Sequence, residues 1–351
     1  MKEKKKVLLI CGSNNQTTMM HEVGKHLNDF DCYYTPYYCD GFLKALYKAN
    51  LLNFTVIGRH HQNRAIEYCS NHGLKIDFEG NANYYDLVIT SSDLVIQKNI
   101  RGKKIVLVQE GMTDPVNIFY YASRYLGLPR YLASTSTAGL SHAYKLFCVA
   151  SQGYAEHFIS HGVDPRKLCV TGIPNFDNVD TYLNNDFPFS RYVLAATSDA
   201  RETFKYENRK RTIYNALDIA DGRQLIFKLH PNENFRRAEK EINKYAPEAM
   251  IYTAGNTNHM IANSDVLITK FSSVVYVGMA LGKEVYSDFP VEKLRKMMPI
   301  QNGGTSGSRI ADMCISVLEE KSFRSVYDSS FASGYKTYEE EYQASVTGDA
   351  A

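Results

Sequence analysis

No stretch of this chain approaches the roughly 20 consecutive apolar residues that a membrane-spanning helix needs. Its apolar runs are strand-sized, as in Val7–Cys11. That run follows the basic Met1–Lys6, but it is too short for the core of a signal peptide, so a cytoplasmic protein is expected. Paired cysteines are missing too. The seven cysteines, at positions 11, 32, 39, 69, 148, 169 and 314, form no CxxC and are odd in number. Cys11, Cys148 and Cys169 lie inside apolar runs and read as small core residues, which suits a reducing compartment. Neither sign of charge dominates: 40 Lys+Arg against 38 Asp+Glu leave a net +2. Overall charge therefore draws the chain neither to nucleic acid nor to a membrane. Tryptophan is absent while tyrosine numbers 26, an imbalance that nothing in the sequence explains.

Two nucleotide-binding signatures are absent as well, GxGxxG and GxxxxGK[ST]. What the chain does contain is repeated alternation of short apolar runs with helical patterns. Val7–Cys11 reads as a buried strand opening into a small polar loop, Gly12–Thr18. Thr17 or Thr18 is expected to cap a helix with Met19, Val23 and Leu27 on one face. Further strand signals fall at Cys32–Tyr38, Thr55–Ile57, Leu74–Asp77, Leu87–Thr90, Lys104–Val108, Leu146–Ala150 and Leu168–Pro174. Helical patterns fall at Phe42–Leu52, Asn63–Asn71 and Gln152–Ser160. Such alternation predicts parallel sheets with helices on both faces. The polar stretch Asn184–Ser190, which contains Pro188, precedes a new series that starts at Tyr192–Ala196. The 351 residues suffice for two cores. The expected fold class is therefore α/β, with two doubly wound, Rossmann-like domains (1–185 and 186–326), a cleft between them, and a polar, aromatic tail (327–351).

The chemistry concentrates between Gln224 and Pro290. The run Leu225–Leu229 reads as a buried strand ending at His230-Pro231, since proline cannot donate to the ladder. A second strand, Val266–Thr269, empties into Lys270-Phe271-Ser272-Ser273. Ser272 is expected to cap a helix running to Leu281, with Gly282 as its stop. Loops at the carboxyl ends of parallel strands meet at the ligand crevice of an open α/β sheet. His230, Lys228, Lys270, Ser272 and Ser273 are residue types that hold a phosphate or diphosphate. Each has a plain reading beside it: a loop-capping histidine, solvated lysines, simple helix caps. Asn256, before another short helix, is a candidate for base or ribose contact. Gly12, Ser13 and Asn14 are candidates for the acceptor side, or simply a tight turn. Glu110, just beyond the strand Lys104–Val108, is the candidate catalytic carboxylate. It would serve as general base or, in a retaining reaction, as nucleophile; a strand-end carboxylate satisfied by backbone N–H groups is the alternative. Adjacent His60 and His61 point apart, and Asp29-Phe30-Asp31 reads as a solvated loop, so no metal site is expected.

These elements resemble the GT-B class of glycosyltransferases, which also includes the UDP-GlcNAc 2-epimerases. The residues concerned are the Gly12-Ser13-Asn14 loop, Val170–Pro174, Lys228-Leu-His-Pro231, Ser264–Thr269 with the Ser-Ser turn, and Leu281-Gly-Lys283. The epimerases carry an acidic, glycine-rich form of that turn and a glutamate on the next helix, where this chain has Val274–Val277. The order Glu110-Gly111, His230-Pro231, Ser272-Ser273 is more similar to transferases that use CMP-sugars such as CMP-Kdo, although Gln109 stands where those often carry a second acid. CDP-glycerol transferases share the His-Pro and Ser-Ser elements. The resemblance implies a metal-independent glycosyltransferase without cofactor, binding a nucleotide-sugar donor (CMP-Kdo or another CMP-sugar acid) and a saccharide or lipid-linked saccharide acceptor. Such a reaction belongs to bacterial surface polysaccharide synthesis at the inner face of the membrane. Val291–Met298 is the amphipathic candidate for peripheral contact there. An epimerase-like isomerase, a polyol-phosphate transferase and a non-catalytic binding module are the competing functions.

Overall fold

The computed structural model describes residues 4–53, 55–202, 206–270, 272–323 and 325. The expected tail, 327–351, lies outside them, as does Phe271 of the Ser-Ser turn. Two units divide the chain.

The first unit alternates β1 (Lys6–Ile10), α1 (Asn14–Gly24), β2 (Asp31–Thr35), α2 (Gly41–Lys48) and α3 (Arg59–Asn71). It continues with β3 (Leu87–Thr90), β4 (Lys104–Val108), α4 (Ile118–Leu126), β5 (Leu146–Val149), α5 (Gln152–Ser160) and β6 (Leu168–Val170). Its six strands are all parallel, in the order β2-β1-β3-β4-β5-β6. Leu8, Leu9, Val88, Ile89, Val106 and Phe147 are sealed from solvent. Such burial follows from helices on both faces of the sheet, and it is why these strands read as continuous apolar runs.

The second unit contains β7 (Val193–Ala196), α6 (Arg209–Ala220), β8 (Leu225–Lys228), α7 (Phe235–Tyr245), β9 (Met250–Tyr252) and α8 (Thr257–Asn263). After these come β10 (Val266–Ile268), α9 (Val274–Ala280), β11 (Glu284–Tyr286) and α10 (Val291–Met297). Its parallel strands run β11-β10-β7-β8-β9. Val193, Phe227 and Val266 from the sheet pack with Ile213 and Ile242 from α6 and α7. In α10, Leu294 and Met297 are buried while Lys293, Arg295 and Lys296 are exposed. The apolar stripe that suggested lipid contact thus faces inward.

The chain leaves the first unit after Asp177 and re-enters it at Asn302, whereas the sequence suggested a single boundary near 185. The final helix, α11 (Ser306–Leu318), accordingly packs on α1 of the first unit, although the expected second domain ran to 326. Both crossings are tied together. Asp177 accepts the Ser306 N–H at 2.7 Å through its carboxylate and the Gly304 N–H at 3.3 Å through its carbonyl. Gly172, at φ +74°, lets Asn302 and Ser306 approach so closely that a Cβ there would lie 2.4 Å from both. Lys5 and Lys104 donate to the carbonyl of Leu318 at 3.5 and 3.2 Å, closing the far end of α11.

Other expectations also shift. Thr55–Ile57 forms a turn rather than a strand, because its hydrogen bonds are local: Thr55 N–H to Leu52 and Gly58 N–H to Thr55. Leu74–Asp77 contributes only the bridge between Ile76 and Tyr34, after which buried Asp77 bends the chain by accepting from Asn81 and Ala82. Among the described residues no helix is long and apolar enough to cross a membrane, and all seven cysteines are free.

Candidate active site

In open parallel sheets ligands sit beyond the carboxyl ends of the strands where the strand order reverses. In the first unit that reversal lies between β1 and β3, beside β4. The loop after β1 is the start of α1. Its N-cap is Ser13, not Thr17 or Thr18, and Gln16 completes a capping box: Ser13 Oγ accepts from Gln16 N–H, and Gln16 Oε1 accepts from Ser13 N–H at 3.0 Å. Thr17 and Thr18 lie within the first turns and donate back to the carbonyls of Ser13 and Asn14. The pattern Ser-x-x-Gln is itself a capping-box signature, and reading it would have found the true start of α1.

Glu110 stands at this helix terminus. Ser13 Oγ donates to one carboxylate oxygen at 2.8 Å and Gln16 Nε2 to the other at 2.6 Å. Burial pushes the Glu110 carboxyl above its ordinary range, and the two donors partly offset that rise. No cation pairs with it among the described residues. Gln109 is buried and structural: its side chain accepts from Ala150 N–H and donates to the Gly111 carbonyl, fixing the loop that carries Glu110. That bridging role accounts for an amide at this position. Asn14 is exposed at the first turn of α1.

Gly12 has a specific reason to be glycine. A Cβ there would fall 1.6 Å from Gln16 Oε1, so Gly12→Ala expels the Gln16 side chain from both the capping box and Glu110. The expected cost is about 0.5–2 kcal/mol of stability, the range for a lost cap. The Glu110 carboxyl, deprived of one donor, should also titrate at higher pH in a carbon-13 NMR titration.

In the second unit the reversal falls between β7 and β10, so the loops after β7, β8 and β10 lie at that edge. The His-Pro loop after β8 is closed by Glu233 N–H donating to the His230 carbonyl at 3.0 Å. His230 Nδ1 accepts from Asn232 N–H at 3.2 Å, which in the neutral ring leaves the proton on Nε2 as a free donor. Asp199 Oδ2 lies 3.7 Å from the same Nδ1. Pro231 is exposed at the tip of the turn. Lys228 is buried, donates to the Leu229 carbonyl at 2.8 Å, and burial lowers its pKa.

Sequence reasoning missed the group that fixes this loop. Buried Glu233 accepts from His230 N–H, from the Thr197 hydroxyl and from Arg209. The Arg209 Nε lies 3.0 Å from Glu207 Oε1, and the side chains of all three ionised residues are at most 3% exposed. Burial raises the Glu207 carboxyl, opposed by the charges of Arg209, Lys270 and Arg201. Glu233 falls three residues after His230, but nothing local marks Arg209 as its partner.

At the Ser-Ser turn, helix α9 starts at Val274, and Ser273 rather than Ser272 occupies the cap position without making a side-chain cap. Neither Ser272 nor Ser273 finds a hydroxyl partner among the described residues, and both are half-buried. Lys270 lies 3.9 Å from Asp288. Asn256 is exposed and caps α8, its side chain accepting from Asn258 N–H. His60 and His61 sit side by side in α3, and among the described residues no cluster has metal-holding geometry.

No family model matches the sequence, and no curated protein matches it. Solved structures do. A Listeria monocytogenes protein assigned as a UDP-N-acetylglucosamine 2-epimerase superposes with TM-score 0.60 at 14% identity, over 91% of this chain and 98% of the other. The UDP-GlcNAc 2-epimerase of Neisseria meningitidis, solved bound to UDP-GlcNAc, gives 0.55 at 13% identity, over 89% and 100%. That of Methanocaldococcus jannaschii, in complex with UDP-GlcNAc and UDP, gives 0.52 at 14% identity, over 88% and 99%. Likeness at such identity speaks to fold alone, and the fold is of the GT-B class.

Proposed function

We propose that this chain is a glycosyltransferase that moves a sugar from a nucleotide-activated donor to a saccharide acceptor. The observation that carries this reading is Glu110: a carboxyl with raised pKa, both oxygens aimed by named donors, with no paired cation among the described residues, at the carboxyl edge of β4. Those are the properties of a general base. Glu110 accepts the proton of the acceptor hydroxyl while that oxygen bonds to the anomeric carbon. The bond from that carbon to the donor phosphate breaks, and its electron pair leaves with the nucleotide. In the second unit, the Nε2–H of His230 and the hydroxyls of Ser272 and Ser273 are the donors offered to the departing phosphate, with Lys270 adding positive charge. Lys228 donates to the Leu229 carbonyl at the end of its own strand. The order of the acidic-Gly, His-Pro and Ser-Ser elements favours a CMP-activated sugar acid such as CMP-Kdo as donor.

A second reading is an isomerase acting on a UDP-sugar, favoured by the fold shared with the epimerases above. A thermal-shift panel with CMP, CDP, UMP, UDP and GDP separates the two. A ligand specific for the folded state stabilises it by about 2.7 kcal/mol at a hundredfold excess over Kd. Stabilisation by CMP alone is the expected result. Stabilisation by UDP with none by CMP would overturn the donor assignment in favour of the UDP-sugar reading.

A further inference from the structure

We propose that the lysines at the amino-terminal edge of the six-stranded sheet are a docking surface for the chain's own acidic tail, 327–351, engaged through Glu339-Glu340-Glu341. The inference goes beyond the reaction proposed above and does not depend on it. Lysines open successive strands at this edge: Lys5 and Lys6 at β1, Lys103 and Lys104 at β4, and Lys145 just before β5. The strands are parallel, so these positions share one end of the sheet.

Three of these lysines converge where α11 ends. Lys5 and Lys104 donate to the same carbonyl, that of Leu318, at 3.5 and 3.2 Å. A hydrogen bond from Lys104, then the charges of Lys104, Lys145 and Lys5, hold the Glu320 carboxyl below the usual carboxylate range. The acids beside these lysines do not balance them. Asp86, before β3, accepts the backbone N–H of Lys6 at 2.8 Å. Glu319 pairs with Lys321 at 2.5 Å and Glu320 with Lys104 at 2.9 Å. Lys103 donates to a neutral acceptor, the Tyr85 carbonyl at 3.3 Å, and Lys5 and Lys145 are exposed. An edge with surplus positive charge attracts an anionic partner.

The exit of the chain selects that partner. Helix α11 finishes on Lys5 and Lys104, and the described residues end at Ser325. Beyond them, 327–351 carries Asp328, Glu339, Glu340, Glu341 and Asp349 against a single base, Lys336. Glu339 comes 14 residues after Ser325, a reach of up to about 46 Å. Six strands spaced about 4.8 Å apart span only about 24 Å, so the glutamates can meet any lysine of the edge. Tethering also gives them an effective concentration in the millimolar range. A free polyanion must displace the tail to bind here.

Trypsin cleavage after Lys336 in the full chain provides the test, with a synthetic peptide of residues 327–351 as the undocked reference. Cleavage in the full chain should be about tenfold slower than in the peptide, which three exposed ion pairs together supply. In about 1 M sodium chloride, where the Debye length is about 3 Å, the two rates should converge. Glu339→Gln/Glu340→Gln/Glu341→Gln, compared with a peptide carrying the same changes, should lose the protection. So should Lys5→Glu/Lys145→Glu, with an unchanged melting temperature. Equal rates in wild-type chain and peptide, or protection that survives in either variant, would overturn the proposal. Protection that grows with protein concentration would also overturn it, by assigning the edge to the tail of another copy.

Discussion

Glu110→Gln should lower kcat by about a hundred- to ten-thousand-fold, the usual contribution of a positioned general base, while nucleotide affinity stays unchanged. Glutamine preserves shape and can still accept from Ser13, but it cannot take a proton. The pH dependence of stability gives an independent check. Burial raises the Glu110 carboxyl in the folded state, so the folded protein keeps this proton to higher pH than the unfolded chain does. The associated stabilisation is complete below the unfolded carboxyl value of about 4.3 and is lost as pH rises through the folded value. Because the variant has no proton to lose there, its melting temperature should fall less than that of the wild type between about pH 4 and 8. Identical kcat in variant and wild type would remove Glu110 from the chemistry. Identical pH–stability curves would mean that its carboxylate is not desolvated.

Arg209→Ala should destabilise the protein by about 3–5 kcal/mol, the cost of stripping one partner from a buried ionic group. Arg209 is 3% exposed and lies between Glu207 and Glu233, which are 2% and 1% exposed. Without the guanidinium two carboxylates share an enclosed site, and the protein must either protonate them or admit water. Glu233 also holds His230 N–H and the Thr197 hydroxyl, so the His-Pro loop should loosen and nucleotide affinity fall with stability. Denaturant unfolding followed by far-UV circular dichroism gives the first quantity, and the thermal-shift response to nucleotide gives the second. A loss below about 1 kcal/mol would mean that water already reaches the triad. Replacing all three members by apolar residues of similar volume should recover most of the loss, since desolvation of the ions then no longer opposes folding.

The α/β architecture was legible because parallel strands buried on both faces advertise themselves. Val7–Ile10, Leu87–Ile89 and Leu225–Phe227 are short, continuous apolar runs, and all are sealed from solvent. Edge strand β11, with exposed Glu284 and Tyr286, has no such signature. Neither does β9, whose three residues are all half-buried. The return of α11 to the first unit was unreadable for a different reason. An amphipathic helix states that one face is buried but not against what, and here the partner is α1, far away in sequence. The site divides the same way. Glu110 was legible as a candidate because it follows an apolar strand, whereas the capping role of Ser13 was overlooked in favour of Thr17 or Thr18. The pairing of Gln16 with Glu110 spans 94 positions and that of Glu233 with Arg209 spans 24, distances over which local pattern carries no information.

The late position of α11 has a consequence for how the protein is made. About 140 residues separate Asp177, where the first unit is left, from Leu318, where α11 ends. At about 5–20 residues per second, a ribosome needs roughly 7–28 s to add them. Throughout that interval the newborn amino-terminal half has its six-stranded sheet available but lacks the helix that covers α1 and fastens Lys5 and Lys104. Its apolar flank is then open to chaperones and to neighbouring nascent chains. The second unit, Asn178–Gln301, is synthesised whole within that window and needs no later segment for its sheet. In order of completion, the half that is translated first is finished last.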